Sequence, residues 1–188
     1  RLFPMMGFSI KQFQVEGLGN LMVMDTRAMC GLMILSTIVF TPRTGKSVPF
    51  LLIDTMAMKM KHLAYVEFYD CTQNGLKEHT LESLSNEFSN ISDYVEKPGW
   101  YIDKRAPYSL IKGGKNVPEQ QLHKMVIECV ERYLHAALAA ETNEYNLIKL
   151  RAFQDEMCSL GNPSTKMLRK LFGINGATEF YKSVIMPV

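Results

Sequence analysis

The sequence predicts an α+β protein in which helices cover an antiparallel sheet. Three observations carry this. The first third of the chain is a series of β-branched and aromatic-rich runs broken by Gly and Pro. After residue 75 the hydrophobic period lengthens to helical spacing. No repeat, low-complexity tract or linker divides the 188 residues, which suits one domain spanning 1–188 with a core of ordinary size.

The expected strands come first, as SIKQFQVE (9–16), NLMVMDTRA (20–28), GLMILSTIVF (31–40), VPFLLIDTMAM (48–58) and HLAYVEFYD (62–70). Short Gly- or Pro-containing links, such as GLG and TPRTGKS (41–47), separate them as in an antiparallel meander. Leu76, Leu81, Leu84, Phe88, Ile91 and Tyr94 then recur at helical spacing and predict a helix. An irregular segment at 97–116 contains one short strand at about 107–112. Leu122, Val126, Val130, Tyr133 and Ala137 place a helix over about 118–140. A further helix at about 144–160 ends at Gly161. Asn162-Pro163 supplies an N-cap and a first-turn proline for a last helix.

Composition excludes several function classes. The chain is 47% hydrophobic and 21% charged with a net charge of +2, and no Lys/Arg run approaches the polybasic type, so a nucleic-acid partner is not expected. The longest apolar run, near 31–40, is too short to cross a bilayer. The N-terminus shows no charged stretch followed by an apolar one, so no signal peptide is read. Cys30, Cys71, Cys129 and Cys158 form no C-x-x-C pair, which fits reduced thiols in a cytoplasmic protein rather than a zinc site or disulfide frame. The four His residues show no metal-ligand spacing. The thirteen Met residues cluster mainly at 22–33 and 56–60, either as core filler or as the lining of an adaptable pocket.

One residue breaks the apolar pattern. In a strand over 48–58, alternation puts Phe50, Leu52, Asp54, Met56 and Met58 on one face and Leu51, Ile53, Thr55 and Ala57 on the other. Asp54 is thus bracketed by apolar side chains, and desolvation there favours the protonated acid, a proton donor near neutral pH. The alternative is an Asp at a strand edge bonded to backbone amides. Asp25 in LMVMDTR and Thr37 in MILSTIVF are two further polar intrusions; if their strands neighbour that of Asp54, the three would line one apolar cavity suited to a planar ligand. Trp100, which follows Pro-Gly, either closes a pocket edge or packs half-buried.

Three stretches resemble the ferredoxin-dependent bilin reductases and the related red chlorophyll catabolite reductases. In STIVFTPRTGKSVPFLLIDTMAM, Pro42, Pro49 and Asp54 keep the family's order and spacing. PGWYIDKRAPYSLIKGG is similar to a Trp-containing loop leading to a strand that ends in a basic residue, here Lys112. NPSTKMLRKLFGINGATEFYKSVIMPV is similar to the C-terminal segment, whose final helix carries a Tyr, here Tyr181.

The resemblance implies a three-layer α/β/α sandwich with a central antiparallel sheet and a tetrapyrrole held between sheet and helices. It implies an oxidoreductase with no bound metal or flavin, taking single electrons from reduced ferredoxin (or flavodoxin) and protons from side chains beside the bilin. Asp54 would stand at the proton-donating position, with Asp25 and Thr37 orienting substrate or water. Lys112, Lys166, Trp100 and Met56 would contact the substrate. Several members have His where Thr37 stands, and Thr does not titrate. A basic residue expected near the C-terminal Thr is displaced, Lys166 being the nearest candidate. The chain is also shorter than typical members, chiefly between 70 and 97. A non-catalytic tetrapyrrole-binding protein on the same fold is the alternative. Lysines and arginines at 104, 105, 112, 115, 166, 169 and 170 would form a docking face for an acidic ferredoxin if the two segments meet.

Overall fold

Six strands form one sheet in the order β1 to β6, each antiparallel to the next: β1 Gly7–Val15, β2 Gly19–Ala28, β3 Met33–Thr41, β4 Phe50–Met58, β5 Lys61–Tyr69 and β6 Leu110–Lys115. The structure is a computed structural model that describes residues 7–72 and 81–188. Among the described residues four α-helices follow the first five strands: α1 Leu84–Glu87, α2 Glu119–Ala139, α3 Tyr145–Leu160 and α4 Pro163–Phe180, the last continuing into a π-helical turn over Tyr181–Ile185. The α+β sandwich that the sequence predicts is thus observed.

Strand alternation gives the sheet two apolar faces, and each is covered over part of its extent. Leu51, Ile53, Ala64, Val66 and Phe68 pack against Leu122, Met125, Cys129 and Tyr133 of α2. On the opposite face Met22, Val39, Phe50 and Leu52 pack against Leu150, Phe153 and Met157 of α3, Leu168 of α4, and Tyr181, Ile185 and Met186. The Tyr133 hydroxyl donates to the Pro49 carbonyl at 2.8 Å, which satisfies a buried polar group and fixes α2 over the start of β4. The last helix begins as expected. Asn162 accepts from the Thr165 amide at 2.8 Å while the Thr165 hydroxyl accepts from the Asn162 amide at 2.6 Å, a reciprocal capping box with Pro163 in the first turn.

Two expectations are corrected. The helical spacing of 76–94 yields only the single turn α1 among the described residues; Leu76 and His79 lie outside them. Leu81, Leu84, Phe88 and Ile91 are buried as that spacing suggests, but the chain then pairs beside β6, where the Tyr94 amide donates to Ile111 and Gly113 donates to Ser92. Tertiary hydrogen bonds replace the helical ones. The short strand lies at 110–115 instead of 107–112 because the preceding backbone is already engaged. The Ala106 amide donates to Phe68 at 2.7 Å and Arg105 bridges Tyr69. At Gly113 (φ 130°) a Cβ would sit 2.2 Å from the His62 carbonyl oxygen, so close strand approach there requires glycine.

Candidate functional site

Register places the acid of β4 in a row that crosses the sheet: Ile10, Met24, Thr37, Asp54, Tyr65 and Ile111 are successive cross-strand partners. Directly paired residues share a face, so Thr37 and Asp54 meet. The Thr37 hydroxyl donates a hydrogen bond to Asp54 Oδ1.

Burial along β4 changes at this row. Phe50 to Ile53 are buried, whereas Asp54 to Met58 are half-buried. The helices therefore cover the face only as far as Asp54. Beyond it lies an apolar shelf that includes Leu35 and Met56, then Met33 and Met58, with Tyr65 alongside. Its flexible thioethers suit a flat ligand of irregular outline.

Asp54 sits at the inner end of this shelf. It keeps some accessible surface, yet protein surrounds its carboxyl, and desolvation raises its pKa above the ordinary 3.8; the hydrogen bond from Thr37 pulls the other way and is the smaller effect. Low dielectric around an acid without a cationic partner favours the neutral form. Burial likewise raises the pKa of Tyr181, which belongs to the core on this face and feels the charges of Cys158, Glu67 and Asp54.

The remaining expected site residues separate. Met56 lies on the shelf beside Asp54. Asp25 does not: it pairs with Ser36 on the opposite face, is exposed, and accepts from the Ser36 hydroxyl at 2.6 Å. The parity of the strand decides this, since Met24 rather than Asp25 opposes Thr37. Lys112 also faces away. It pairs with Ala64, its side chain is buried, and its ammonium meets Asp93 at 2.6 Å. Lys166 is exposed on α4. Trp100 is half-buried; it packs near Phe153 and donates to the Gly161 carbonyl at 2.7 Å, tying its loop to the α3–α4 turn. It also borders an open groove of about 640 Å³ with Glu96, Pro98 and Ile102. The expected basic face breaks up as well, because Arg105 and Lys112 are buried in ion pairs and Lys104 meets Glu156 at 3.2 Å.

Two residues that sequence reasoning missed stand on the Asp54 face. Lys61 opposes Met58 at the outer end of the shelf. Its ammonium lies 4.2 Å from the Tyr94 ring centroid and donates to the Tyr94 hydroxyl at 3.1 Å, with no carboxylate partner among the described residues. Glu67 opposes Leu52, one row inward from Asp54, and is buried. Desolvation, opposed by Arg105 and assisted by Asp54, pushes its pKa up to about 7. The alternation in AYVEFYD was the available signal: Tyr65, Glu67 and Tyr69 fall on one face, an acid among aromatics.

Among the described residues no cluster of His, Cys, Asp and Glu could hold a metal ion, and no helix is long and apolar enough to cross a membrane. The four cysteines are free thiols.

A scan against protein-family models found no match, and a search of curated proteins found none either. The solved structures do match. The chain is similar to a crystal structure of tomato phytochromobilin synthase in complex with biliverdin, with a TM-score of 0.69 and 10% sequence identity over 95% of this chain and 69% of that one. The likeness is one of fold.

Proposed function

We propose that the chain binds a linear tetrapyrrole on the shelf beside Asp54 and reduces one of its double bonds. The observation that carries this reading is the placement of Asp54: an acid favoured in its neutral form, at the boundary between the covered and open halves of an apolar face. The fold it shares with a biliverdin-complexed enzyme supports the choice of ligand.

In this reading the bilin lies flat on Met56, Leu35 and Tyr65. Two electrons arrive one at a time from an external carrier such as reduced ferredoxin or flavodoxin, and the conjugated ligand holds the intermediate radical. Asp54 donates a proton to the reduced pyrrole system. Thr37 holds the Asp54 carboxyl toward the ligand, a neutral partner where a His–Asp pair would titrate. Lys61, at the far end of the shelf, is the cation placed to meet a propionate, in the role expected of Lys112.

A second reading, tetrapyrrole binding without reduction, is favoured by one observation: Thr37 offers no second titrating group beside Asp54. Anaerobic mixing with biliverdin followed by reduced ferredoxin separates the two. Reduction predicts a spectral change on mixing and progressive conversion after the donor is added. A stable complex leaves binding alone, and an unchanged spectrum on mixing removes both readings.

A further inference from the structure

We propose that Glu67 and Asp54 form one coupled acid pair, with Arg105 and Glu96 connecting it to solvent, so that the site stores a second transferable proton behind Asp54. This rests on the reductase reading for its purpose but not for its geometry.

The geometry begins with a count of charge. The Arg105 guanidinium pairs with both Glu67 and Glu96, and the second Glu96 contact is 3.0 Å. One cation therefore serves two carboxylates. Among the described residues Arg105 Nε finds no hydrogen-bond partner, so the cluster is not fully satisfied by them. The Tyr69 hydroxyl donates to Glu67 Oε1 at 3.0 Å. Asp54 adds a third acid on the same face, in the adjacent row. Such diagonal neighbours on paired strands have Cα atoms about 7–8 Å apart. Two carboxylates on one guanidinium, with the unpartnered acid Asp54 in the adjacent row, cannot all be ionised at low cost in a desolvated place, and a retained proton relieves the excess.

The groups facing Glu67 are few. Tyr65 and Tyr69 flank it on β5, Asp54 comes from β4, Arg105 and Tyr101 from the segment before β6, Glu96 from the loop ahead of it, and Tyr181 from the C-terminal turn. Arg105 is the sole cation among them. Glu67 itself is almost sealed, but Glu96 borders the open groove beside Trp100. Glu96 at the groove and Glu67 share Arg105, so the buried acid lies one ion pair from solvent.

Its chemical use follows from the balance of the reaction. Saturating one carbon–carbon double bond consumes two electrons and two protons and makes two C–H bonds. The electrons come from two reduced one-electron iron–sulfur carriers, which leave oxidised. Asp54 supplies the first proton and becomes a carboxylate. Glu67 returns a proton to it for the second transfer through an intervening water, and is refilled by a solvent proton entering at the groove beside Glu96, Arg105 staying protonated throughout. Glu67 acts through Asp54 and is a positioning residue.

Carbon-13 NMR of the ligand-free full chain, with Asp and Glu carboxyls labelled, tests the pair. Glu67 is expected to titrate near neutral pH, Asp54→Asn to move that midpoint to lower pH, and Glu67→Gln to move the Asp54 midpoint the same way by about one pH unit. Glu96→Gln, a change outside the buried core, leaves Arg105 to Glu67 alone and is expected to lower the Glu67 midpoint. Midpoints indifferent to loss of the partner, or Glu67 titrating in the ordinary carboxylate range, overturn the proposal and leave a plain ion pair. Because no bilin is present, this result is independent of biliverdin binding. With biliverdin and reduced ferredoxin, Glu67→Gln is expected to slow the second proton transfer about tenfold or more and remove the neutral-pH limb of the rate profile. An unchanged profile also overturns the proposal.

Discussion

The Thr37 hydroxyl donates to the Asp54 carboxyl across directly paired strands, and this bond opposes the desolvation that raises the pKa of Asp54. The site is set by the competition between those two effects. Burial is the larger, so the acid stays neutral further up the pH scale than a surface Asp, and the hydroxyl limits how far.

Removing the hydroxyl shifts that balance. Thr37→Val keeps the shape of the side chain and deletes the bond that favours the carboxylate. The Asp54 midpoint is expected to rise, and the alkaline limb of bilin reduction to move to higher pH. Carboxyl titration and a pH–rate profile measure the two, and a downward move of either contradicts the balance described. Stability is expected to change by only about 1 kcal/mol.

Lys61 and Lys112 distinguish the two faces. Lys61→Met removes the cation at the end of the shelf and is expected to weaken biliverdin binding about fivefold, an effect of about 1 kcal/mol that added salt diminishes. Lys112→Met breaks the ion pair with Asp93 on the other face and is expected to alter thermal stability with no change in biliverdin affinity. Fluorescence or absorbance titration of both variants decides it.

Asp25→Asn is expected to be silent. Its carboxyl is exposed on the α2 side and bonds only to Ser36 among the described residues. The change is expected to cost no more than about 0.5 kcal/mol and to leave conversion of biliverdin intact. A large loss of conversion would return Asp25 to the site.

Stability is expected to fall as pH rises. The ordinary Glu value is 4.5, and in the folded chain Glu67 is raised to about 7. Between these values the folded state keeps a proton that the unfolded state has released, so stability is full in mild acid and declines through neutral pH. The size is at most about 3 kcal/mol, a value that already includes the pairing of the ionised form with Arg105. Urea midpoints from about pH 5 to about pH 8 should fall in the wild type and flatten in Glu67→Gln.

The sheet was legible because half-covered strands write their faces into alternate residues. Phe50, Leu52 and Asp54 fall together by parity alone, and so do Leu51 and Ile53. The caps were legible for a local reason: Asn162, Pro163 and Thr165 form a motif four residues long. What parity within one strand cannot supply is the register between strands. Asp25 and Thr37 look like neighbours in a hairpin, yet the turn at Met29–Gly31 brings Met24 opposite Thr37 and turns Asp25 to the other face. Lys112 was misplaced for the same reason. The α1 region misled because Leu84, Phe88 and Ile91 are buried at helical intervals in a segment whose backbone then bonds to β6. Glu67 was hidden in plain alternation, its significance depending on Arg105, which lies 38 positions later in the chain.

The central claim is that Asp54 delivers a proton to a bound bilin, and single-turnover spectroscopy of Asp54→Asn tests it most directly. With biliverdin bound and reduced ferredoxin added anaerobically, the variant is expected to bind as the wild type does, accept electrons, and stall before product, with the conversion rate down by at least about a hundredfold. Conversion at the wild-type rate by a variant that binds normally would contradict the claim.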